Sequence, residues 1–414
     1  MKDSRWGIIK RLQKAGPTVL AATVYLFNRD LIMSVLERFA ALHPECKILL
    51  GGPEFLGDNK QFLENYTFVD AVFRGEADLA FGQFLDVLEY PVEWNGVEGV
   101  CRLDEEGKYR DNGTVIIADE LDRLPSPLTS EFYDTSKPFA TLETSRGCPS
   151  QCAFCTSCRL GKPRYFSLQR VRDDIQRLYD AGVKEVRILD RTFNLPSERC
   201  CEVLDIMEEY AGEIRFHIEV NPVALTDEAA EKMSGFPAGA LHVEAGLQTS
   251  EPRALQAISR PVDPECIWNG LRMLCGMDNL EVHVDLVAGF PYVDLDHIYN
   301  DLFELIELMP DEIQLELLKM LPGTLIREKA MEHGLVFTDE MPYEILRTPS
   351  MSFSDLNEVR LLSRAIDNFY NESALKKATR AAITADSKFM RQLAHMAVDE
   401  DGEPTPISLK RRFR

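Results

Sequence analysis

The chain has 414 residues, 45% hydrophobic and 28% charged, enough to bury a sizeable core over two or three domains and unlike disordered, collagen-like or coiled-coil chains. With 68 acidic and 46 basic side chains the formal charge is −22, which opposes nucleic acid, whose binding rests on Lys and Arg neutralising phosphates; the short tail of Lys410, Arg411, Arg412 and Arg414 is too small to reverse it. No apolar run approaches the ~20 residues of a membrane span, and the start MKDSRWGIIK has no charged-then-apolar leader, so a cytoplasmic protein is expected.

Residues 1–90 read as strands alternating with helices. TVLAATVYLF (18–27), CKILLGG (46–52) and DAVFRGE (70–76) are apolar, β-branched runs, and LIMSVLERFAAL (31–42) has helical spacing and stops before Pro44. Strands apolar on both faces with helices between them imply a parallel sheet. The expected fold here is a partial doubly wound, Rossmann-like α/β sheet, with three strands visible where five or six are usual. Residues 91–138 are dense in turn formers (Pro91, Asn95-Gly96, Asn112-Gly113, Pro125, Pro127, Pro138) and read as a linker with a short hairpin.

Strand–helix alternation resumes at 139 and runs to 335. The expected strands are 140–147, 184–190, 214–220, 240–248, 280–289 and 312–319. A typical helix between them is SLQRVRDDIQRLYDAG, with Ser167 as N-cap, Leu168, Val171, Ile175 and Leu178 on one face, and Gly182 as its stop. Six such units predict a partial (β/α)6 TIM-type barrel, and residues 336–414 predict a helical C-terminal region. Cys200 and Cys201 fall on a helix and read as small buried hydrophobes. Gly51-Gly52 lacks the Gly-Lys-Ser/Thr of a phosphate loop, and the seven histidines form no HExxH pair.

The barrel strands alternate where buried parallel strands are usually apolar throughout. Ile214, Phe216, Ile218 and Val220 oppose Arg215, His217 and Glu219. Leu241, Val243, Ala245 and Leu247 oppose His242, Glu244 and Gln248. Val282, Val284 and Leu286 oppose Glu281, His283 and Asp285, and Ile313, Leu315 and Leu317 oppose Gln314 and Glu316. With apolar faces toward outer helices, the polar faces must line the interior, which is then a binding cavity. An antiparallel sheet wetted on one face would alternate the same way, but helices between every pair of strands argue against it.

Ten cysteines are too few for a disulfide scaffold, yet Cys148, Cys152, Cys155 and Cys158 fall within eleven residues, which points to metal or catalytic chemistry. In TSRGCPSQCAFC, three thiolates at CxxxCxxC spacing can hold three irons of a cubane and leave the fourth open, where iron–sulfur clusters are otherwise held by four cysteines. The alternative is a structural zinc site completed by Cys158, although zinc usually pairs two short knuckles separated by a longer loop.

This motif, with Phe154 before the third cysteine, resembles the radical S-adenosylmethionine (SAM) superfamily. The resemblance implies a [4Fe–4S] cluster on Cys148, Cys152 and Cys155, SAM on the open iron, and reductive cleavage to methionine and a 5′-deoxyadenosyl radical, with electrons from a flavodoxin- or ferredoxin-type donor. It carries further expectations. LDRTFN (189–194) is similar to the segment seating the methionine end of SAM, which nominates Asp190. EAGLQTSEPRALQAISR (244–260) is similar to the segment contacting SAM ribose and carboxylate, which nominates Glu244, Gln248 and Arg260, with Glu219 beside them. HVDLVAGFP (283–291) resembles the adenine-side turn with Gly289. Glu143, Asp285 and Glu316 are then the expected catalytic groups of the polar interior.

YLFN, LLGGPEF (49–55) and DAVFRGEAD (70–78) resemble the cobalamin-binding domain preceding the barrel in one radical SAM subgroup, with Gly51 and Gly52 in the corrin-cradling loop. LLKMLPGTLIREKAMEHGL…PYEIL resembles the tail of one branch of that subgroup. Only seventeen residues precede the first strand, and Asp-x-His-x-x-Gly is absent, so the domain is expected to be shortened. Three functions follow as expectations. With cobalamin, the protein transfers methyl groups to an unactivated carbon of a small molecule or peptide. Without it, the protein catalyses a radical oxidation, rearrangement or group transfer. The third is a non-catalytic zinc or redox protein.

Overall fold

Apolar runs too short to fold singly assemble here into two main sheets, one mixed and one wholly parallel. The computed structural model describes residues 4–117, 121–386 and 388–396, without the side chain of Cys158; the basic tail at 410–414 lies outside the described residues. The chain divides into one unit of Met1–Asp119, Cys155–Gly161 and Leu321–Glu328 and a second of Glu120–Phe154, Lys162–Met320 and Lys329–Arg414.

In the first unit, α1 (Arg5–Ala15) precedes strands β1 (Val19–Thr23), β2 (Lys47–Gly51) and β3 (Ala71–Phe73), with α2 (Arg29–Leu42), α3 (Lys60–Asn65) and α4 (Asp78–Asp86). The three strands are parallel. Both faces of β2 are buried: Ile48 and Leu50 join Leu36, Phe55 and Val72, while Leu49 joins Phe73, Phe84 and Trp94. That two-sided burial is why the strand is apolar throughout. The hairpin expected inside a linker extends this sheet. β4 (Val100–Leu103) pairs antiparallel with β3, and β5 (Tyr109–Asp111) pairs with β4, because Val100 and Cys101 are apolar and wholly buried.

In the second unit, β6 (Ala140–Leu142) begins the barrel sheet. A two-residue ribbon follows, β7 (Ser145–Arg146) with β8 (Arg164–Tyr165), which sequence periodicity cannot register. Then come α5 (Leu168–Asp180), β9 (Glu185–Ile188), α6 (Ser197–Glu208), β10 (Arg215–Val220), α7 (Asp227–Ser234), β11 (Leu241–Gln248), α8 (Pro252–Ala257), α9 (Pro264–Cys275), β12 (Glu281–Ala288), α10 (Leu295–Leu308) and β13 (Glu312–Leu317). The sheet runs β13-β12-β11-β10-β9-β6, every pair parallel, as a partial TIM-type barrel. Ser167 caps α5 by accepting from the Arg170 N–H at 3.1 Å, and Val171, Ile175 and Leu178 are buried. Both Cys200 and Cys201 are buried, and burial pushes the Cys200 thiol up to about 12, as befits inert core residues.

α11 (Leu325–Glu328) groups with the first unit. In the second, β14 (Val336–Phe337) and β15 (Ile345–Arg347) form an antiparallel pair, followed by α12 (Phe353–Ala365), a π turn at Ile366–Tyr370, α13 (Lys376–Ala385) and α14 (Phe389–Met396). These elements cover the open edge of the barrel sheet. The Asn371 side chain accepts from the Ile313 N–H at 3.0 Å and donates to its carbonyl at 2.9 Å, satisfying groups that an uncovered edge would expose. Among the described residues no helix is long and apolar enough to cross a membrane.

Candidate active site

The expected alternation is present in the barrel. Along β10 and β11 each apolar residue is buried and each polar one partly buried, and β12 repeats this except that His283 is buried too and Val287 only partly. On edge strand β13 the pattern weakens, since Gln314 is exposed and Glu316 half-buried. Parallel register brings polar residues side by side: His217 beside His242, Glu219 beside Glu244, Glu244 beside His283, and Gly246 beside Asp285.

These side chains form one network. His217 Nε2 stands 3.2 Å from Glu244 Oε2 and His217 Nδ1 3.4 Å from His242 Nδ1. Arg215 Nη2 reaches His242 Nδ1 at 3.2 Å. His283 Nε2 lies 3.3 Å from Asp285 Oδ1, and Asp285 and Glu244 lie close enough to act on each other's charge. Burial, reinforced by Glu244, pushes Asp285 up, while Glu244 is drawn down because His217, His283 and Asp285 outweigh its own burial. His242 is forced down to about 3 by burial and by the positive His217, Arg215 and His283 around it, so its ring is neutral. The sequence put these histidines on polar faces, but only strand register could show that the three lie in one row.

The cysteine loop leaves the C-terminal end of β6, where barrel active sites lie. Its root is fixed by Asp190, which is buried and accepts from the Thr144 N–H (2.8 Å) and hydroxyl (2.5 Å) and the Ser145 N–H (3.0 Å) and hydroxyl (2.7 Å). Further along, the Ala153 N–H donates to the Ile258 carbonyl at 2.8 Å, and Phe154 packs on Phe290 with ring centroids 5.0 Å apart. Cys148 Sγ is 3.3 Å from the Thr192 hydroxyl. Cys148 and Cys152 are partly buried and close enough to Arg260 to act on its charge. Arg260 donates to the Gly246 carbonyl at 2.9 Å, which fixes its guanidinium in place. Cys155, also partly buried, heads the segment grouped with the first unit, where its sulfur accepts from the Ser157 N–H at 3.4 Å.

Several of the expected site residues already have partners or reasons within the fold. Asp190 has its acceptor capacity filled by Thr144 and Ser145, so it anchors the loop and has no free acceptor for SAM. Glu143 lies just beyond β6 and is gripped by Arg146, Nε at 3.0 Å and Nη2 at 2.9 Å. Glu316 is paired with Lys319 at 2.7 Å. Two glycines have reasons within the fold. Gly289 has φ 97° and a Cβ there would stand 2.9 Å from Ile345; Gly52 has φ 104° and a Cβ would meet the Val24 carbonyl at 2.6 Å. Gly51 simply ends β2. Glu219 pairs with Arg191 at 3.1 Å, and burial raises its pKa despite that partner. Gln248 ends β11 at φ 67° after a bulge, and its amide folds back to where a Gly246 side chain would be. Glu244 and Asp285 lie in the polar interior beside His217 and His283, and Arg260 is held on the Gly246 carbonyl.

The residues present fit an iron–sulfur cluster better than a lone ion. Among the described residues no three His, Cys, Asp or Glu side chains converge on one ion position, as tetrahedral zinc requires. Each thiolate of a cubane instead takes its own iron, so three cysteines on one short loop need not converge on a single point.

Comparison with known proteins agrees with this geometry. Residues 142–305 match the radical SAM superfamily, and residues 331–391 match a protein family of unknown function, DUF4080. An uncharacterized methyltransferase of Pyrococcus horikoshii, PH0819, is 25% identical over 374 residues, covering 88% of this chain and 81% of that protein. The cobalamin-dependent radical SAM methyltransferase TokK of Streptomyces tokunonensis is 23% identical over 77% of this chain, which spans only half of TokK. The solved structure of the radical SAM methyltransferase TsrM from Kitasatospora setae superposes with a TM-score of 0.66 at 16% identity, over 81% of this chain and 69% of TsrM. With the cysteine motif on the first strand of a partial barrel and relatives of this kind, the chain is an enzyme of the radical SAM superfamily.

Proposed function

We propose that this enzyme cleaves SAM and transfers a methyl group to an unactivated carbon of a small molecule or peptide. The observation that carries the proposal is Arg260, tied to β11 through the Gly246 carbonyl and set beside Cys148 and Cys152 at the C-terminal end of a polar barrel interior. Cys148, Cys152 and Cys155 would hold a [4Fe–4S] cluster, which when bound would supply the electron for SAM cleavage. The protein's part is to hold and to shield. Asp190 fixes the loop root, and Phe154 on Phe290 closes an apolar wall. Arg260 offers a planar fork suited to a carboxylate, and Glu219, Glu244 and Gln248 offer the polar contacts a nucleoside sugar needs. Barrel walls that exclude water also exclude stray hydrogen donors, which a carbon radical would otherwise attack. An acidic chain is suited to a flavodoxin- or ferredoxin-type donor only through a local basic surface, and no nucleic-acid substrate is proposed.

Cobalamin is the natural methyl carrier if TokK is the guide, and Gly51-Gly52-Pro53 is the loop that would meet it. A second reading, radical chemistry without cobalamin, is favoured by the close approach of Gly52 to the Val24 carbonyl, which explains that glycine without any ligand. The two separate in one experiment. Reconstituted protein mixed with hydroxocobalamin and desalted retains the corrin spectrum under the first reading, and with reductant and SAM it forms S-adenosylhomocysteine only when cobalamin is present. Loss of the corrin on desalting, with 5′-deoxyadenosine still formed, favours the second.

A further inference from the structure

Reductive cleavage of SAM consumes an electron that a separate carrier must deliver, and the charge around the cysteine loop decides which carriers can approach. The chain as a whole carries −22, yet residues 144–170 hold five basic side chains and no acidic one. Three of the five are engaged within the fold. Arg146 grips Glu143 at 2.9 Å, Arg159 takes Glu328, and Arg170 holds Asp174 at 2.7 Å. The other two are Lys162 and Arg164, with Arg164 Nε donating to the Lys162 carbonyl at 3.2 Å. Arg164 lies in β8, whose register sets it opposite Arg146 and sets Tyr165 opposite Ser145. The segment bearing the cysteines therefore leaves by one arm of this ribbon and returns by the other.

The ribbon also borders a surface cavity of about 510 Å³, lined by Leu121, Asp122, Arg123, Tyr165 and Ser167. Arg123 and Lys162 are exposed and make no ion pair among the described residues. Asp122, the acidic side chain of the lining, already accepts from the Ser167 N–H at 3.0 Å. Tyr165 is 37% exposed, and the Arg199 guanidinium stands over its ring, 5.4 Å from the centroid. Arg199 is itself fixed by donating to the Phe166 carbonyl at 2.6 Å. An exposed aromatic ring bordered by arginines has the composition of a protein-docking patch, where Tyr and Arg are enriched and carry much of the binding energy.

We propose that Arg123, Lys162 and Arg164 around Tyr165 form the docking surface for an acidic one-electron carrier protein. The inference rests on the reading of Cys148, Cys152 and Cys155 as cluster ligands and adds the partner that serves them. In the transfer the carrier is oxidised by one electron and the cysteine site reduced by one, and no bond or proton moves. Charge decides against a longer polyanion. A nucleic-acid strand extends past three cations onto a surface whose net charge repels it, whereas the acidic face of a small protein can match the patch alone. Attraction from so few exposed charges acts mainly on the rate of encounter and fades with salt.

The test mixes the full chain with a dye-labelled flavodoxin and reads binding by fluorescence anisotropy from low to high salt. Wild type is expected to bind with an affinity that falls steeply as salt rises. Arg123→Glu with Lys162→Glu and Arg164→Glu should weaken binding about tenfold or more at low ionic strength. The two exposed reversals without Arg164→Glu should still cost about threefold, which keeps the test decisive if the half-buried position is needed for folding. Arg123→Lys with Lys162→Arg should bind as wild type does. Equal binding by wild type and the reversed chains, or an affinity indifferent to salt, overturns the proposal. So does a labelled RNA oligonucleotide that binds through these residues where the flavodoxin does not. After reconstitution, reduced flavodoxin should form 5′-deoxyadenosine several-fold more slowly in the doubly reversed chain, while dithionite drives both chains equally. If dithionite yields no nucleoside in wild type, the cluster reading itself fails, and the anisotropy decides the docking surface independently.

Discussion

Asp190 shows how one buried side chain can decide whether a catalytic loop has a defined shape. Four donors from Thr144 and Ser145 converge on it, and removing an acceptor strands donors that water cannot reach, at about 1–3 kcal/mol each. Asp190→Ala is expected to destabilise the barrel by about 3 kcal/mol in urea unfolding and to lower the iron retained after reconstitution. Asp190→Asn should lose less, since its amide oxygen still accepts from one residue. An unchanged urea midpoint in Asp190→Ala would refute the anchoring role. The segment LDRTFN was legible as part of the site, but the job of its aspartate was not. Sequence order cannot tell a carboxylate aimed at a ligand from one saturated by a loop 46 residues earlier. The cysteines were legible for the opposite reason: their chemistry depends on spacing along one short segment. The histidine row lay between these cases, visible as residues on a polar face and invisible as a cluster until strand register aligned them.

At the scale of elements, glycines within helices separate packing from propensity. Gly270 in α9 is buried, and a Cβ there would stand 2.0 Å from the Pro222 carbonyl oxygen, so Gly270→Ala should cost about 1–3 kcal/mol through forced overpacking. Gly82 in α4 is exposed with nothing near it, and Gly82→Ala should stabilise by up to about 1 kcal/mol. Thermal or urea unfolding giving both changes the same sign would contradict this account. Asp301 in α10 makes a pH prediction. It accepts from the Ser250 N–H at 3.0 Å and from the Ser250 hydroxyl, yet burial outweighs these bonds and raises its pKa to about 6. Its folded-state pKa exceeds the ordinary aspartate value of about 3.9, so its contribution is fully present below pH about 4 and is lost as pH rises through about 6. Stability measured from pH 4 to 7 should fall more steeply in wild type than in Asp301→Asn; parallel curves would refute this. Helices and long strands were readable from periodicity and caps, Ser167 above all. The β4–β5 hairpin was readable only as a hairpin, because its membership of the N-terminal sheet rests on the pairing of Val72 with Cys101, 29 positions apart, in a stretch dominated by turn formers.

For the whole molecule, alternating polarity in parallel strands was the most informative feature of the sequence. It set the fold class and the polar barrel interior together, since a face bearing Glu244, Asp285 and three histidines can be neither a packed core nor a helix-covered surface. What it could not supply was the pairing of those charges. Glu143 and Glu316, expected as catalytic acids, and Glu219, expected as a SAM contact, are each held by a basic residue, and only strand register placed Glu244 beside His283 and Gly246 beside Asp285. The central claim is that Cys148, Cys152 and Cys155 hold a SAM-cleaving cluster. Its most direct test is anaerobic reconstitution with iron and sulfide, followed by an absorption spectrum and an assay for 5′-deoxyadenosine with reductant and SAM, on wild type and Cys152→Ala. The account predicts a broad band near ~400 nm from thiolate-ligated iron and nucleoside formation in wild type, both lost in the variant. A colourless wild-type protein that binds zinc and leaves SAM intact, or a variant that cleaves SAM as well as wild type, would contradict it.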